Sequence, residues 1–391
     1  MKNILFVLNI YPGKGGIESV TNTLVEYLCR YFRIYTLSLS EIPEVTKPNG
    51  IEQSFVFPGE DYDKNIAFIN ELVARLNIGV IINQGMFLHI SDIIFNAERN
   101  RKVPVISCLH GMPMYEKHIF WNMPAVKAAS RSVKRKWRIK MMFNRCKEYN
   151  NLLDTFKKGH QRISAESART VLLCDEYVSS YNKYYDIVNK VYVIAVSNPL
   201  PQKYESVKPL KWDERKDEIL FVGRVCEEKR VDLLLNLWRR VKNKNGWKLV
   251  IVGDGESLDE LKELVSRHKI ENVDFRGYTE TPETYYKDAK FLALTSKFEG
   301  LGMCLIEAMR YGVVPVAFNV SDGVKSVIEE SGGILVKMDD NRKFVKILKA
   351  ITKGEIGDER MSEMAYAKSM RYSINTIGPR WVKIINEVVE D

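Results

Sequence analysis

The chain has 391 residues, of which 45% are hydrophobic and 28% charged. That is ordinary for a soluble globular protein and enough to fill two cores, which excludes disorder throughout. The formal charge of +9 raises nucleic acid as a partner, but twelve Lys/Arg against two acids in 127–162 make that segment +10 and leave the remainder at −1. Such a local patch serves anionic lipid as well as nucleic acid.

The N-terminal run ILFVLNI (4–10) reads as a first strand and not a signal peptide, because no small-residue cleavage site follows it. GIESVTNTLVEYLCRYF (16–32) follows with apolar residues at helical spacing, then a strand over 34–40, a helix over 65–77 and strands over 79–85 and 103–111. A long basic stretch, expected to be helical, precedes strands at 170–175 and 191–199. Pro199-Leu200-Pro201 breaks the rhythm, and the charged stretch to about Glu218 reads as an interdomain linker. The alternation resumes with strands over 218–225, 247–255, 272–278, 290–296 and 313–319 and helices over 230–242 and 257–268. Near-continuous apolar strands alternating with helices predict parallel sheets covered on both faces. The expectation is two Rossmann-like domains, 1–200 and 201–373, with a helix over about 374–391 packing back on the first. No apolar run reaches the roughly 18 residues of a membrane helix. The six cysteines (29, 108, 146, 174, 226, 304) form no CxxC pair, which argues against a zinc site or disulfide framework and fits a reducing cytoplasm.

Ligands in such folds bind at the carboxyl ends of strands, so the turns there carry the chemistry. YPGKGGIES (11–19) departs from GxGxxG because Glu18 stands at the third glycine position. Gly15-Gly16 before a helix still suits close approach of an anion, though a tight turn with no ligand reads equally well. In FVGRVCEEKRVD (221–232), Gly223 precedes Arg224, and Lys229 lies near the next helix start. Two such cations suit a diphosphate; beside Glu227 and Glu228 they also read as a solvated charge cluster. VGDGES (252–257), with Gly253, is a glycine-rich strand end of low specificity. TSKFEGLGMCLIEAMRYG (295–312) is the most informative: Glu299 closes a loop, Gly300-Leu301-Gly302 opens a helix, and Glu307 lies among Leu305, Ile306, Ala308 and Met309. A buried carboxylate needs a partner, which a ribose diol would supply.

Taken together, the Glu299/Glu307 E-x7-E spacing, the Arg224/Lys229 pair and the Gly15-Gly16 turn resemble the family-4 retaining glycosyltransferases of the GT-B fold, in which two Rossmann-like domains face each other across a cleft. The resemblance is strongest over 218–336. It implies that Glu307 holds the ribose hydroxyls of a nucleotide-sugar, that Glu299 and the amides of Gly300, Leu301 and Gly302 hold the donor sugar, and that Arg224 and Lys229 bind the diphosphate. It further implies that Gly16 approaches the donor phosphate, that His110 stands beside the reacting sugar, and that Arg276, Gly277 and Tyr278 border the base. Asn198-Pro199 matches the family's interdomain turn. Arg230 departs from the family, which usually has Gly there, and the loop 319–326 matches only loosely.

The function implied is transfer of a sugar, with retention of configuration and without metal or other cofactor, from a nucleotide-sugar expected to be UDP-linked. The acceptor is expected to be a glycan or lipid-linked molecule in bacterial-type surface polysaccharide or glycolipid synthesis. A phosphorylase of the same fold would need a pyridoxal-phosphate lysine, for which no signal is found, and the E-x7-E spacing disfavours an epimerase. Nucleic-acid binding through the patch leaves Arg224, Lys229 and Glu307 unexplained, so no nucleic acid is expected. Asp61-Tyr62-Asp63 is a metal motif without a third ligand and is set aside. The patch, with Lys134, Arg135, Lys136, Trp137 and Arg138 at its centre, combines cations with Trp, Met and Phe as bilayer-surface helices do. It predicts a cytoplasmic protein peripheral on the inner face of an anionic membrane.

Overall fold

The computed structural model describes residues 1–86, 88–97, 103–116 and 135–390, without the side chains of 135–146 and Val191. The chain divides into two compact units: residues 1–197 with 378–391, and residues 198–377.

The first unit is built on seven strands: β1 (Asn3–Ile10), β2 (Arg33–Ser40), β3 (Ile51–Val56), β4 (Ile78–Gln84), β5 (Val105–Cys108), β6 (Arg169–Leu172) and β7 (Val193–Ala195). They pair in parallel in the order β3-β2-β1-β4-β5-β6-β7. The second unit has six parallel strands: β8 (Lys216–Val222), β9 (Lys248–Val252), β10 (Val273–Gly277), β11 (Ala289–Leu294), β12 (Val314–Asn319) and β13 (Ile334–Lys337), in the order β10-β9-β8-β11-β12-β13. The strand order reverses between β1 and β4 and between β8 and β11, which makes their carboxyl ends the places where such sheets open toward a ligand. Ile4 to Leu8 of β1 and Ile219 and Leu220 of β8 are fully buried, as expected for central parallel strands covered by helices on both faces. In the second unit Trp238, Phe291, Phe318 and Phe344 fill the space between sheet and helices.

Two strands were not expected. β3 is an edge strand whose residues stay half-buried or exposed, so it lacks an apolar run. β13 has only four residues. The segment expected to be a linker after Pro199 is packed into the second unit: Leu200 and Tyr204 are buried, and Leu200 N–H donates to Tyr372 O at 2.7 Å. Two buried arginines hold it. Arg310 donates to the carbonyls of Tyr204 (2.7 Å) and Glu205 (2.8 Å), and Arg215 donates to the carbonyl of Leu210 at 2.8 Å. Backbone carbonyls thus replace the apolar periodicity that a sequence scan looks for.

The helix Arg135–Glu166 carries residues 135–162 of the basic segment. Its buried His160 stacks on Tyr185 with ring centroids 4.2 Å apart and meets Tyr181 edge-on. Burial lowers the pKa of His160 to about 4. The unfolded chain takes up this proton near pH 6.5 and the folded chain not until about pH 4, so the contribution is fully present above pH 6.5 and is lost as pH falls toward 4. At about 1.4 kcal/mol per pH unit, wild type should lose up to roughly 3 kcal/mol more than His160→Phe over that range. Urea midpoints for both proteins at pH 7, 6, 5 and 4 check this; parallel pH dependences would contradict it.

Candidate functional site

In the second unit, glycines let three strand ends approach one another. Gly223 N–H donates to Val252 O (3.0 Å), Gly253 N–H to Gly277 O (2.8 Å) and Val225 N–H to Asp254 O (2.8 Å). Gly253 sits at φ +139°, and a Cβ there would fall 1.9 Å from Gly223 O, so no larger residue fits between these backbones. This lacing presents the turns after β8, β9 and β10 side by side, with Arg224 exposed beyond Gly223.

The 3₁₀ turn Glu227–Lys229 follows Arg224 and is pinned to the end of β11. Thr295 Oγ1 donates to the carbonyls of Lys229 (3.2 Å) and Arg230 (3.1 Å), and Lys297 N–H donates to Glu228 O at 2.7 Å. Lys229 Nζ thereby reaches Glu299 Oε1 at 2.5 Å, with side-chain exposures of 27% and 11%. Ser296 Oγ donates to the same oxygen at 2.7 Å. Burial works most strongly against the Lys229 charge, but its neighbours, Glu299 foremost, together outweigh it and the net pKa is raised. Cys304, next to both, is pushed up to about 12 by burial and is a thiol. Arg230 takes the left-handed conformation at φ +52°, a backbone that favours glycine; its guanidinium pairs with Asp339 Oδ1 at 2.8 Å.

Gly302 caps the helix Met303–Arg310 at φ +72°, a backbone that favours glycine. The Leu301 side chain is buried, so only its backbone can face a ligand. Glu307, on that helix and half-buried, accepts a hydrogen bond from the buried Tyr286 hydroxyl at 2.9 Å. Desolvation raises the Glu307 pKa above the usual carboxylate range, against the Tyr286 hydrogen bond and Lys203. Arg276, expected beside a base, pairs with Asp274; Tyr278 is 61% exposed. The loop 319–326 contains Ser321, which caps the helix Asp322–Ile328 and reaches Gly300 O at 3.4 Å.

In the first unit, Gly15 caps the helix Gly16–Leu28, and a Cβ on Gly16 would meet nothing within 4 Å. His110 Nε2 is hydrogen-bonded to Gln84 Oε1. Asp61, half of the metal motif set aside above, caps the helix Tyr62–Arg75 through Lys64 N–H. Among the described residues, Cys226, Glu228 and Glu256 bring possible ligand atoms within 4.8 Å of one another; the Cys226 thiol is hydrogen-bonded to Glu228, which lowers the Glu228 pKa.

Of the basic patch, Lys134 lies outside the described residues, and so do the side chains of Arg135, Lys136, Trp137 and Arg138. At the other end of the segment, Lys158 pairs with Asp154 at 2.7 Å, Arg162 with Glu166 at 2.6 Å and with Asp92, and Lys157 with Asp186. No described helix is long and apolar enough to cross a membrane. Sequence reasoning missed Tyr286, Ser296 and Gln84. Only Gln84 had a signal, the polar pair Asn83-Gln84 ending an apolar strand.

Residues 202–368 match the family model described as Glycosyl transferases group 1. The chain is 32% identical over 173 residues to the amylovoran biosynthesis glycosyltransferase AmsD of Erwinia amylovora, covering 44% of this chain and 49% of the relative. Identity is also 32%, over 178 residues, to a Campylobacter jejuni alpha-1,4-N-acetyl-D-galactosaminyltransferase whose name specifies a diNAcBac-PP-undecaprenol substrate, covering 45% of this chain and 49% of that one. This chain spans about half the length of the curated relatives it matches. Among solved structures, Anabaena HepE in complex with UDP-glucose is similar at a TM-score of 0.74 and 14% identity, over 99% of this chain and 100% of that one. The glycosyltransferase WaaG, involved in lipopolysaccharide biosynthesis, is similar at 0.69 and 14%, over 98% and 99%. These likenesses show the fold, two Rossmann-like domains of the GT-B class, and the match to the group 1 model lies within the second unit.

Proposed function

We propose that the protein is a retaining, metal-independent glycosyltransferase that moves a sugar from a UDP-sugar to a glycan or lipid-linked acceptor in bacterial-type surface polysaccharide or glycolipid synthesis. The observation that carries this reading is the Lys229–Glu299 pair, seated at the strand ends of a group 1 domain whose helix also presents Glu307. Arg224 and Lys229 take the diphosphate and stabilise its charge as it leaves, supplying the electrostatic help that a metal gives elsewhere. Glu299 and the amides of Gly300, Leu301 and Gly302 hold the sugar, Glu307 the ribose, and the turns at Gly223, Gly253 and Gly277 border the nucleotide. Gly15 and Gly16 are assigned to phosphate and His110 to the reacting sugar. As the diphosphate departs, the sugar becomes oxocarbenium-like; the acceptor attacks from the same face and passes its proton to a donor phosphate oxygen.

The names of relatives support the setting, since one acts in amylovoran biosynthesis and another is named for an undecaprenol-linked substrate. The complex of HepE with UDP-glucose supports the donor. A thermal-shift screen with UDP, GDP, ADP and their sugars tests the reading: the right ligand at 100 times its dissociation constant adds about 2.7 kcal/mol of stability. Stabilisation by no nucleotide defeats it. Transfer should persist in excess EDTA; loss restored by Mn²⁺ or Mg²⁺ would overturn metal independence.

The same reading puts the protein in the cytoplasm, peripheral on the inner face of the membrane, with the basic segment on anionic lipid. The full chain should sediment with vesicles containing phosphatidylglycerol and not with phosphatidylcholine alone. Sedimentation should weaken with salt, because charges are screened within about 10 Å at 0.1 M. Changing Lys134, Arg135, Lys136 and Arg138 to Ser should abolish it and spare nucleotide binding. A wild type that ignores anionic vesicles at low salt removes the membrane from the proposal.

A further inference from the structure

His110 stands two residues beyond Cys108, the last residue of β5, and Cys108 is the register partner of Gln84, the last residue of β4. The two strand ends are fixed by backbone: Gly85 N–H donates to Cys108 O and Leu109 N–H to Val171 O, each at 2.9 Å. Beneath them, Asn83 Nδ2 donates to Ser91 Oγ at 3.0 Å, and the hydroxyls of Ser107 and Ser167 are 2.8 Å apart. Gln84 is 1% exposed. Its Oε1 is bonded to His110 Nε2, while its Nε2 is buried with no hydrogen-bond partner among the described residues.

An orphaned buried amide N–H is costly, and an apolar side chain of similar size would avoid the cost. What glutamine provides at this position is its carbonyl oxygen. We infer that Gln84 is a positioning residue for His110: its Oε1 accepts the Nε2 proton, holds the ring, and fixes the neutral imidazole as the Nε2–H tautomer, so that Nδ1 carries the lone pair. The role of each ring nitrogen is set by what the other one binds. The reversed amide would donate to Nε2, place the proton on Nδ1, and turn His110 from an acceptor into a donor toward whatever its second nitrogen meets. The catalytic consequence rests on the proposed placing of His110 beside the reacting sugar; the tautomer does not.

The full chain labelled with ¹⁵N-histidine tests this, with His110 assigned by the signals missing in His110→Asn. Wild type above the ring's pKa should show the Nε2–H tautomer, and Gln84→Met a mixture of both. In the transfer assay Gln84→Met should lose about tenfold to a hundredfold in kcat, the range seen for outer-shell partners of ligating histidines, with donor KM unchanged. Gln84→Glu keeps an acceptor at the same place. It should retain the tautomer, recover most of kcat, and move the acidic limb of the pH–rate profile upward, because a carboxylate favours the imidazolium. An Nδ1–H tautomer in the wild type overturns the inference, as does an unchanged tautomer and kcat in Gln84→Met. Should Gln84→Met fail to fold, an Nδ1–H or mixed tautomer in Gln84→Glu overturns it equally. A wild type that transfers no sugar defeats the glycosyltransferase reading instead, and the spectra still decide for or against Gln84.

Discussion

Glu307→Ala is expected to weaken UDP binding by about a hundredfold to ten-thousandfold. The carboxylate would accept two ribose hydroxyls, each such charge-assisted bond contributing roughly 1.5–3 kcal/mol, and 1.4 kcal/mol is a factor of ten in affinity. Tyr286 complicates the simple substitution. Its buried hydroxyl donates to Glu307, so alanine also leaves that hydroxyl unpaired, at a cost of about 1–3 kcal/mol in folding stability. Glu307→Gln separates the two effects, because the amide oxygen still accepts from Tyr286 while the negative charge is gone. It should fold as well as wild type and bind UDP more weakly. The raised Glu307 pKa adds a pH signature. Protonation removes the charge, so affinity should begin to fall on acidification at a higher pH than an ordinary carboxylate would give. Calorimetry with UDP at several pH values reads all of this, and a folded Glu307→Ala with unchanged affinity removes Glu307 from the site.

The candidate site residues that the structure brings together in the second unit, and that could be named from sequence, are those whose chemistry is local. Arg224 and Lys229 share one turn, and Glu299, Gly302 and Glu307 share one loop and the helix it opens, so their spacing survives in the linear order. Apart from Ser296, what could not be named depends on contacts between segments distant in the sequence. Gln84 meets His110 because β4 and β5 pair in parallel with Gln84 opposite Cys108, and Tyr286 meets Glu307 across 21 positions. The fold was legible where strands are central and apolar, as in β1 and β8. It was not legible in the edge strand β3, whose residues never form an apolar run, or around Leu200 to Arg215, where guanidinium groups bonded to backbone carbonyls do the packing. Arg230 could be seen as a departure from the pattern the sequence resembles, but not that it would keep the left-handed backbone and turn its charge to Asp339.

The Lys229–Glu299 pair leads to the second large effect. A lysine this enclosed would lose its proton or its place without a partner, because an unpaired ammonium away from water is strongly disfavoured. Glu299 therefore keeps Lys229 charged and aimed before any ligand arrives, and Ser296 keeps Glu299 in place. Lys229→Met removes the point charge that would stabilise the departing diphosphate, so kcat should fall by about a hundredfold to a thousandfold, as when one preorganised donor is removed. The same change strands the Glu299 carboxylate, and breaking one side of a buried pair costs about 3–5 kcal/mol. Because Glu299 keeps some solvent contact, the lower end of that range applies. Removing the stranded carboxylate as well should recover part of the stability but none of the rate. Lys229→Met/Glu299→Met is thus expected to melt above Lys229→Met while remaining at least as inactive. That divergence separates an ion pair that only holds the turn from one that holds a cation for the leaving group. If the double variant regained both stability and transfer, or if Lys229→Met kept wild-type kcat, the diphosphate would have to be stabilised by Arg224 and the helix termini without Lys229.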